Sequence, residues 1–228
     1  MDRGRGVTAP APVDLCLVLP HLGPGGAQKL ALLAADHFIA SGLRVQQRVG
    51  QARVGCLSIA RQVRQKGLDV LIEAWARLPS ISAGLMLTLV GDGPERGSLE
   101  AQAERCGVRS RIRFTGHCQD VSTELESAAI FVLPSRKEGM PNALLEAMAA
   151  GLAVIVTDAS PGPLEVVDQG VNGLVVSSDD SSALAEALDR LAADPALRKR
   201  LGAAARHTLR QSDWPVVGPI WESLVDQL

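Results

Sequence analysis

Residues 131–158 read FVLPSRKEGMPNALLEAMAAGLAVIVTD. An apolar run opens this stretch, a helix-prone segment follows at 142–150, and a second apolar run, LAVIV, lies near its end. Strand, helix and strand in this order predict a βαβ unit, in which the two strands lie parallel in one sheet. LAVIV has no polar residue, so it indicates a strand that is buried on both faces.

The same alternation extends along the rest of the chain. Other short apolar runs lie at 13–19, 54–59, 85–90, 112–115 and 173–176. Amphipathic, helix-like segments separate them, at 26–41, 67–78, 94–106, 120–128, 162–169 and 180–193. We therefore expect an α/β fold with a Rossmann-like, mostly parallel sheet that is covered by helices on both faces.

The domain organisation is uneven. Residues 1–45 predict one strand, a glycine turn and a helix, which is far short of the roughly 100 residues of a doubly wound domain. Residues 46–53 have no clear pattern and form a junction, and a larger α/β domain with C-terminal helices is expected at 54–228. The first segment is therefore interpreted as a remnant of another domain.

The composition excludes several classes of protein. The 228-residue chain carries a net charge of −2, contains 3% aromatic residues and has no tyrosine. We expect no nucleic-acid partner, because such a surface needs positive charge and aromatic stacking platforms. No apolar run reaches the roughly 18 residues that a membrane span requires.

Cysteine usage and the basic tail bear on location. The four cysteines are scattered and form no CxxC pair: Cys16, Cys56, Cys106 and Cys118. This pattern predicts reduced thiols in a cytoplasmic protein and no metal site. Residues 195–211 predict a helix rich in Arg and Lys, which is either a solvated face or a peripheral contact with the inner face of an anionic membrane.

Charged residues and glycines follow the predicted strands. Arg61 and Lys66 come after the run at 54–59, and Glu138 comes after the apolar run that ends at Leu133. Ligands of an open parallel sheet bind beyond the carboxyl ends of its strands. Arg and Lys together suit a diphosphate, so the pattern predicts a phosphate-bearing ligand at this edge.

Two glutamates flank the start of one predicted helix. Gly139 and Pro141 break any earlier helix, so the helix should begin near Asn142, where Asn would be a good N-cap. Free amides at that start can bind phosphate, and the carboxylates of Glu138 and Glu146 can accept hydrogen bonds from hydroxyl groups. Alternatively, Glu138 only complements the helix dipole and Glu146 is a surface acid.

Five stretches resemble the C-terminal, donor-binding domain of glycosyltransferase family 4, the retaining enzymes with the GT-B double-Rossmann fold. They are ARQVRQKGLDVLIEAW (60–75), LTLVGDGPERGSLEAQAERCGV (87–108), IRFTGH (112–117), the opening stretch (131–158) and GPLEVVDQGVNGLVV (162–176). The most specific feature is the Arg–Lys pair followed by two glutamates eight positions apart.

The resemblance implies a role for each of these side chains. Arg61 and Lys66 would hold the nucleotide diphosphate, Glu138 would contact the transferred sugar as the catalytic residue, and Glu146 would bind the ribose hydroxyls. The sequence EGMPNALLEAMA is similar to that of family members that use UDP-sugars to build bacterial surface polysaccharides or lipid-linked glycans.

Further donor contacts follow from the same resemblance. The backbone amides of Asn142 and Ala143 would bind phosphate, and the region of Arg113 would line the base pocket. Residues 18–45 are similar to the first strand, glycine loop and helix of the family's N-terminal domain, where Gly25 and Gly26 would face the donor phosphates.

The chain departs from the family in two places. Ala60 stands where a glycine commonly precedes the arginine, and more than a hundred residues of the N-terminal domain have no counterpart, so we expect a truncated chain of doubtful activity. The helix predicted in the remnant carries an apolar stripe, which predicts self-association: Leu30, Leu33, Ala34, His37 and Phe38.

The resemblance implies transfer of a hexose, with retention, from a nucleotide diphosphate sugar to a glycan or lipid-linked acceptor. A UDP-sugar is the expected donor. No metal or other cofactor is expected, since the cations and the helix start can stabilise the diphosphate and the sequence has no Asp-x-Asp motif. The alternatives are a nucleotide-sugar epimerase of the same fold and a non-catalytic nucleotide-sugar-binding or interaction module.

Overall fold

The structure of the protein, a computed structural model, describes residues 55–78 and 85–210. The predicted remnant and its apolar stripe lie outside these residues, as does the predicted junction. The described strands are β1 Gly55–Ile59, β2 Met86–Val90, β3 Ile112–Gly116, β4 Ala128–Leu133, β5 Ala153–Thr157 and β6 Leu174–Val176.

The helices alternate with the strands along the described part of the chain. They are α1 Leu68–Ala76, α2 Arg96–Arg105, α3 Ser122–Ser127, α4 Asn142–Ala149, α5 Pro161–Leu164, α6 Ser181–Ala193 and α7 Pro195–Arg210. Short 3-10 turns at Arg64–Lys66 and Arg109–Arg111 precede α1 and β3. None of the described helices has both the length and the hydropathy that a membrane crossing requires.

The six strands form one parallel sheet in the order β3-β2-β1-β4-β5-β6. This is the strand order of the doubly wound dinucleotide-binding fold. The described part of the chain starts at β1, continues outward to β3, and returns to place β4 on the other side of β1. The direction of winding therefore reverses between β1 and β4, and a crevice forms where their carboxyl ends diverge.

Apolar side chains cover the sheet on both faces. One face is covered mainly by α1, α2 and α6, with Trp75 of α1 fully buried. The other face is covered by α4, whose Leu144 and Met148 pack around Phe131 of β4. Every residue of β5 is buried, which confirms the expectation for LAVIV. The predicted parallel sheet with helices on both faces is thus confirmed.

The predicted helix at 162–169 is wrong in its length, because α5 ends at Leu164. Beyond Leu164, the buried side chain of Asn172 forms hydrogen bonds with two backbone groups. Its Nδ2 donates to the Val166 carbonyl at 2.9 Å, and its Oδ1 accepts from the Asp168 amide at 2.7 Å. These groups are then not available for helical hydrogen bonds.

Candidate functional site

The loops that follow β1 and β4 meet at the carboxyl edge of the sheet. Gly67 lies between the 3-10 turn and α1 and has a φ of 62°. A Cβ atom at this position would lie 2.0 Å from the carbonyl oxygen of Pro134, which directly follows β4. Because only glycine combines this φ with so close a backbone approach, Gly67 permits the two loops to touch.

An ion pair bridges these two loops. Lys66 Nζ lies 2.6 Å from Glu138 Oε1, and the hydroxyl of Ser135 donates to the same oxygen at 2.6 Å. The backbone amide of Glu138 donates to Ser160 Oγ, beyond β5, at 2.9 Å. Glu138 is therefore held by residues that follow β1, β4 and β5, and its side chain is only 8% exposed.

Ser135 and Ser160 were not among the residues expected at the site. Both lie just beyond the carboxyl end of a strand, Ser135 after β4 and Ser160 after β5, and both are buried. The rule that located Lys66 and Glu138 at strand ends would have found them. In a sequence, a serine in a loop is a weak indicator of a binding site, because it is most often a turn residue.

Helix α4 begins at Asn142, as expected, but Asn142 is not its N-cap. Pro141 takes that position in an extended conformation, and no side chain in the described part of the chain caps the helix. Pro141 has no amide to donate and its backbone is extended, so the helical conformation begins only at Asn142, which is too late for Asn142 to be the cap. No described residue accepts a hydrogen bond from the amides of Asn142 and Ala143, so they can bind an anion.

Glu146 lies one turn inside α4, four residues after Asn142. Side chains on a helix lean towards its N-terminus, so a carboxylate at this position can reach towards the first turn of α4. Glu146 is half-buried, and burial raises the pKa of its carboxyl group above the ordinary value. No ion pair or hydrogen bond from another described residue compensates this burial.

The remaining predicted donor residues are more dispersed. Arg61 lies just beyond β1, with an exposed side chain that forms no ion pair with the described residues. Arg113 lies on the edge strand β3, and its Nη2 lies 3.6 Å from Glu124 Oε1. Two strands, β2 and β1, separate β3 from β4. The structure therefore does not bring Arg113 together with Lys66 and Glu138. Gly25 and Gly26 lie outside the described residues.

Buried Gln62 connects the loop after β1 to the loop after β2. Its backbone amide donates to the Asp92 carbonyl at 2.8 Å, and its Nε2 donates to the Gly91 carbonyl at 2.8 Å. Gln62 is fully buried, so these bonds form without competition from water. The loops after β1, β2 and β4 are thereby joined into one surface above the sheet.

A shallow, open pocket lies beside this surface, beyond the carboxyl end of β5. It is lined by Asp158, Ala159, Ser160, Pro161, Leu164 and Glu165. Gly162 lets the loop after Glu138 rest on α5, since a Cβ atom there would lie 1.8 Å from the Gly139 carbonyl oxygen. Across the described ranges, no group of His, Cys, Asp and Glu has the arrangement of a metal site.

The arrangement suits a ligand that carries both phosphate and hydroxyl groups. Two cations, Arg61 and Lys66, and the free amides of α4 lie around the β1–β4 crevice and favour negative charge. Two carboxylates, Glu138 and Glu146, lie at the same edge and can accept hydrogen bonds from hydroxyl groups. Arg61, Lys66 and Glu138 thus follow β1 and β4 as the sequence predicted, and the binding roles of all the predicted site residues remain predictions.

The sequence matches known transferases over most of its length. Residues 45–208 match the family model described as Glycosyl transferases group 1. The lipopolysaccharide core biosynthesis glycosyltransferase LpsE of Rhizobium meliloti (strain 1021) is 40% identical over 153 residues, which cover 67% of this chain and 44% of LpsE. LpsD of the same organism is 38% identical over 154 residues, covering 68% of this chain and 43% of LpsD.

Solved structures have the same fold. The crystal structure of Anabaena HepE in complex with UDP aligns with a TM-score of 0.69 and 22% identity, covering 89% of this chain and 54% of HepE. The C-terminal domain of LpcC, a glycosyl transferase group 1 family protein from Francisella tularensis, aligns with a TM-score of 0.63 and 25% identity, covering 70% of this chain and 92% of that domain.

These likenesses confirm the predicted GT-B-like α/β fold, and the chain spans less than half the length of LpsE and LpsD. The family match extends through the crevice residues, from Arg61 to Glu146. The chain belongs to the family of glycosyl transferases group 1.

Proposed function

We propose that this chain is the donor-binding part of a retaining glycosyltransferase of family 4 and that its donor is a UDP-sugar. The observation that supports this most is the 2.6 Å contact between Lys66 Nζ and Glu138 Oε1 in the β1–β4 crevice. In a nucleoside diphosphate sugar, the sugar is bonded directly to the second phosphate. A site for such a donor therefore needs a cation and a hydroxyl-accepting carboxylate side by side.

The positive groups of the crevice would bind the diphosphate. During transfer, the bond between the sugar's anomeric carbon and the diphosphate oxygen breaks, and its electron pair goes to the diphosphate. The acceptor hydroxyl forms its oxygen–carbon bond to the same carbon on the same face, and its proton passes to the departing diphosphate. Lys66, Arg61 and the amides of Asn142 and Ala143 would stabilise the negative charge that develops on the leaving group. In this proposal no metal ion is required.

The carboxylates would recognise hydroxyl groups. Glu138, fixed by Lys66 and Ser135, would accept a hydrogen bond from the transferred sugar. Glu146 would accept hydrogen bonds from the two ribose hydroxyls. Such bonds stabilise the ionised carboxylate, so nucleotide binding would lower the pKa that burial raises in the free protein. Arg113, Gly25 and Gly26 keep the base and phosphate roles that the family resemblance implies.

The relatives support the choice of donor and acceptor. HepE was crystallised with UDP, and LpsE and LpsD are lipopolysaccharide core biosynthesis glycosyltransferases. We propose a glycan or lipid-linked acceptor and a peripheral location at the inner face of the membrane. The comparisons give no support to an epimerase or to a non-catalytic module.

A calorimetric titration of the chain with UDP, GDP and ADP tests the proposal. UDP should bind best, and EDTA should leave its affinity unchanged. Glu146→Ala should weaken UDP binding by about 1.5–3 kcal/mol, the range for a hydrogen bond to a charged group. If none of the three nucleotides binds, the proposed function is wrong, and unchanged UDP affinity in Glu146→Ala excludes the ribose role.

A further inference from the structure

Arg136 forms a network that the donor roles do not use. Its guanidinium donates to both carboxylate oxygens of Asp69, at 2.8 Å and 2.8 Å, and its Nε donates to Asp179 Oδ1 at 2.6 Å. Its Nη1 also donates to the backbone carbonyl of Arg64 at 2.6 Å. The side chain is only 20% exposed, so this cation is committed to protein groups and is not offered to a ligand.

The partners of Arg136 lie on both sides of the donor-site cation. Arg64 begins the 3-10 turn that ends at Lys66, and Asp69 lies in the first turn of α1 directly after it. Arg136 itself lies in the loop after β4, two residues before Glu138. The guanidinium therefore fixes the short segment that carries Lys66 against the loop that carries Glu138.

Backbone bonds between the same two segments strengthen this connection. The amide of Arg136 donates to the Gln65 carbonyl at 2.8 Å, and Gln65 Nε2 donates to the Lys137 carbonyl at 2.9 Å. The residues that bond across the loops thus directly precede Lys66 and Glu138. A change in this register would move the ammonium group relative to the carboxylate.

The chemistry of the network requires an arginine. A planar guanidinium can bind one carboxylate through two parallel bonds and still donate to other acceptors, whereas a lysine ammonium has no such fork. Asp179 has a φ of 58°, a conformation that few residues other than glycine adopt, and it places a second carboxylate on the guanidinium. Burial raises the pKa of Asp69, but the hydrogen bonds and charge of Arg136 outweigh it and keep the pKa below its ordinary value.

We propose that Arg136 is a positioning residue of the donor site, which sets the spacing between Lys66 and Glu138 and thereby the affinity for the diphosphate. This inference rests on the proposed function. Arg136 acts through Lys66 and contacts no part of the donor. A purely structural role would instead affect the stability of the domain, with no dependence on Lys66.

A double-mutant cycle separates these roles. Arg136→Ala should weaken UDP binding about tenfold, within the range of coupling between neighbouring residues, and should leave uridine binding unchanged. In a Lys66→Ala background the same substitution should change UDP affinity by less than about twofold. Arg136→Lys should restore only part of the loss, and Arg105→Ala, an exposed arginine of α2, serves as the matched control.

Hydrogen exchange in the absence of ligand provides an independent readout. In Arg136→Ala, amides at 60–67 and 134–140 should exchange faster, while those of β5 should keep their rates. If Arg136→Ala does not fold, the double-mutant cycle and the hydrogen-exchange experiment are done with Asp179→Asn instead. This substitution removes one charged partner of Arg136, and Asn tolerates the same backbone conformation.

The possible failures are distinguishable. The positioning role would be overturned if Arg136→Ala weakened UDP binding equally in the wild-type and Lys66→Ala backgrounds. It would also be overturned if Arg136→Ala weakened uridine binding as much as UDP binding. Unchanged exchange at 60–67 and 134–140 would overturn it as well. A wild-type chain that binds no nucleotide would overturn the proposed function, and the exchange experiment would then decide alone whether Arg136 fixes Lys66 against Glu138.

Discussion

The Lys66–Glu138 ion pair determines which charges the crevice offers to a ligand. The Glu138 side chain is 8% exposed and that of Lys66 is 22% exposed, so the carboxylate is the more deeply buried partner. In the free protein the ammonium group compensates this carboxylate. In the proposed function a diphosphate competes for the same ammonium group, so Glu138 would oppose the binding of a nucleotide that lacks a sugar.

Glu138→Gln should therefore separate nucleotide from nucleotide-sugar binding. Loss of the carboxylate frees Lys66, so UDP affinity should rise by as much as about fivefold, which corresponds to an ion pair of up to about 1 kcal/mol. Affinity for a UDP-sugar should fall relative to that for UDP, since the sugar loses its charged acceptor and the neutral amide oxygen of Gln accepts a weaker hydrogen bond. Paired calorimetric titrations measure both. A comparable fall for UDP and UDP-sugar would exclude the sugar role of Glu138.

We expect the ionised carboxylate of Glu146 to lower the stability of the folded protein at neutral pH. Its folded-state pKa is raised by burial, so the ionised form is penalised above that pKa, and the penalty disappears as the pH falls below the ordinary glutamate pKa of about 4.3. Glu146→Gln should therefore raise the Tm at pH 8, with a smaller difference at pH 4. Differential scanning calorimetry measures both values.

Glu104→Gln is the matched control for this prediction, because Glu104 is an exposed residue of α2. It should leave the Tm unchanged at both pH values. A Glu146→Gln variant that is less stable than the wild type at pH 8 would contradict the account. Such a result would mean that the Glu146 carboxylate stabilises the fold, whereas the proposed binding role expects it to have no partner among the described residues until the nucleotide binds.

The start of α4 contributes through its backbone. Asn142 is the first helical residue and follows an extended Pro141, which is the conformation that a residue before proline prefers. Asn142→Pro should therefore preserve the helix, since proline is favoured at the first helical position. It removes one free amide, and UDP binding should weaken by about 1.5–3 kcal/mol if that amide binds phosphate.

Asn142→Ala is the control, because it removes the side chain and keeps the amide. Its UDP affinity should equal that of the wild type. If Asn142→Pro also binds UDP like the wild type, this amide does not contact the phosphate. Circular dichroism of both variants verifies that the helix content is unchanged.

The contact between the loops after β1 and β4 depends on Gly67. Gly67→Ala places a Cβ atom 2.0 Å from the Pro134 carbonyl oxygen at a φ of 62°. The clash and the strained φ should destabilise the domain by about 2–4 kcal/mol, measured by urea unfolding.

The comparison for Gly67→Ala is Gly97→Ala. A Cβ atom at Gly97, which lies in α2, would meet no atom within 4 Å. Alanine is the better helix former, so this variant should gain up to about 1 kcal/mol of stability. Equal effects of the two substitutions would contradict the close approach of the loops.

The architecture of the domain followed from local patterns. Apolar runs without polar residues predicted a sheet buried on both faces, and β5 is buried along its whole length. The start of α4 at Asn142 followed from the helix breakers Gly139 and Pro141. The rule that ligands bind at the carboxyl ends of parallel strands placed Lys66 and Glu138 at one edge.

Contacts between distant segments could not be predicted in this way. Lys66 and Glu138 are 72 residues apart, and their contact depends on the strand order and on the packing of Gly67 against Pro134. The network of Arg136 depends on three separate segments, so in sequence Arg136 is only one of several arginines. The early end of α5 also depends on a residue outside the helix, since Asn172 forms a hydrogen bond with the Val166 carbonyl.

The central claim of the proposed function is that the diphosphate of the donor binds at the β1–β4 crevice of the described domain. The most direct test is a calorimetric titration of Lys66→Ala with UDP and with uridine. The account predicts that UDP affinity falls roughly 10- to 150-fold, the loss of a charge-assisted hydrogen bond, while uridine affinity stays at the wild-type value. Wild-type UDP affinity in Lys66→Ala would contradict the placement of the diphosphate in this crevice.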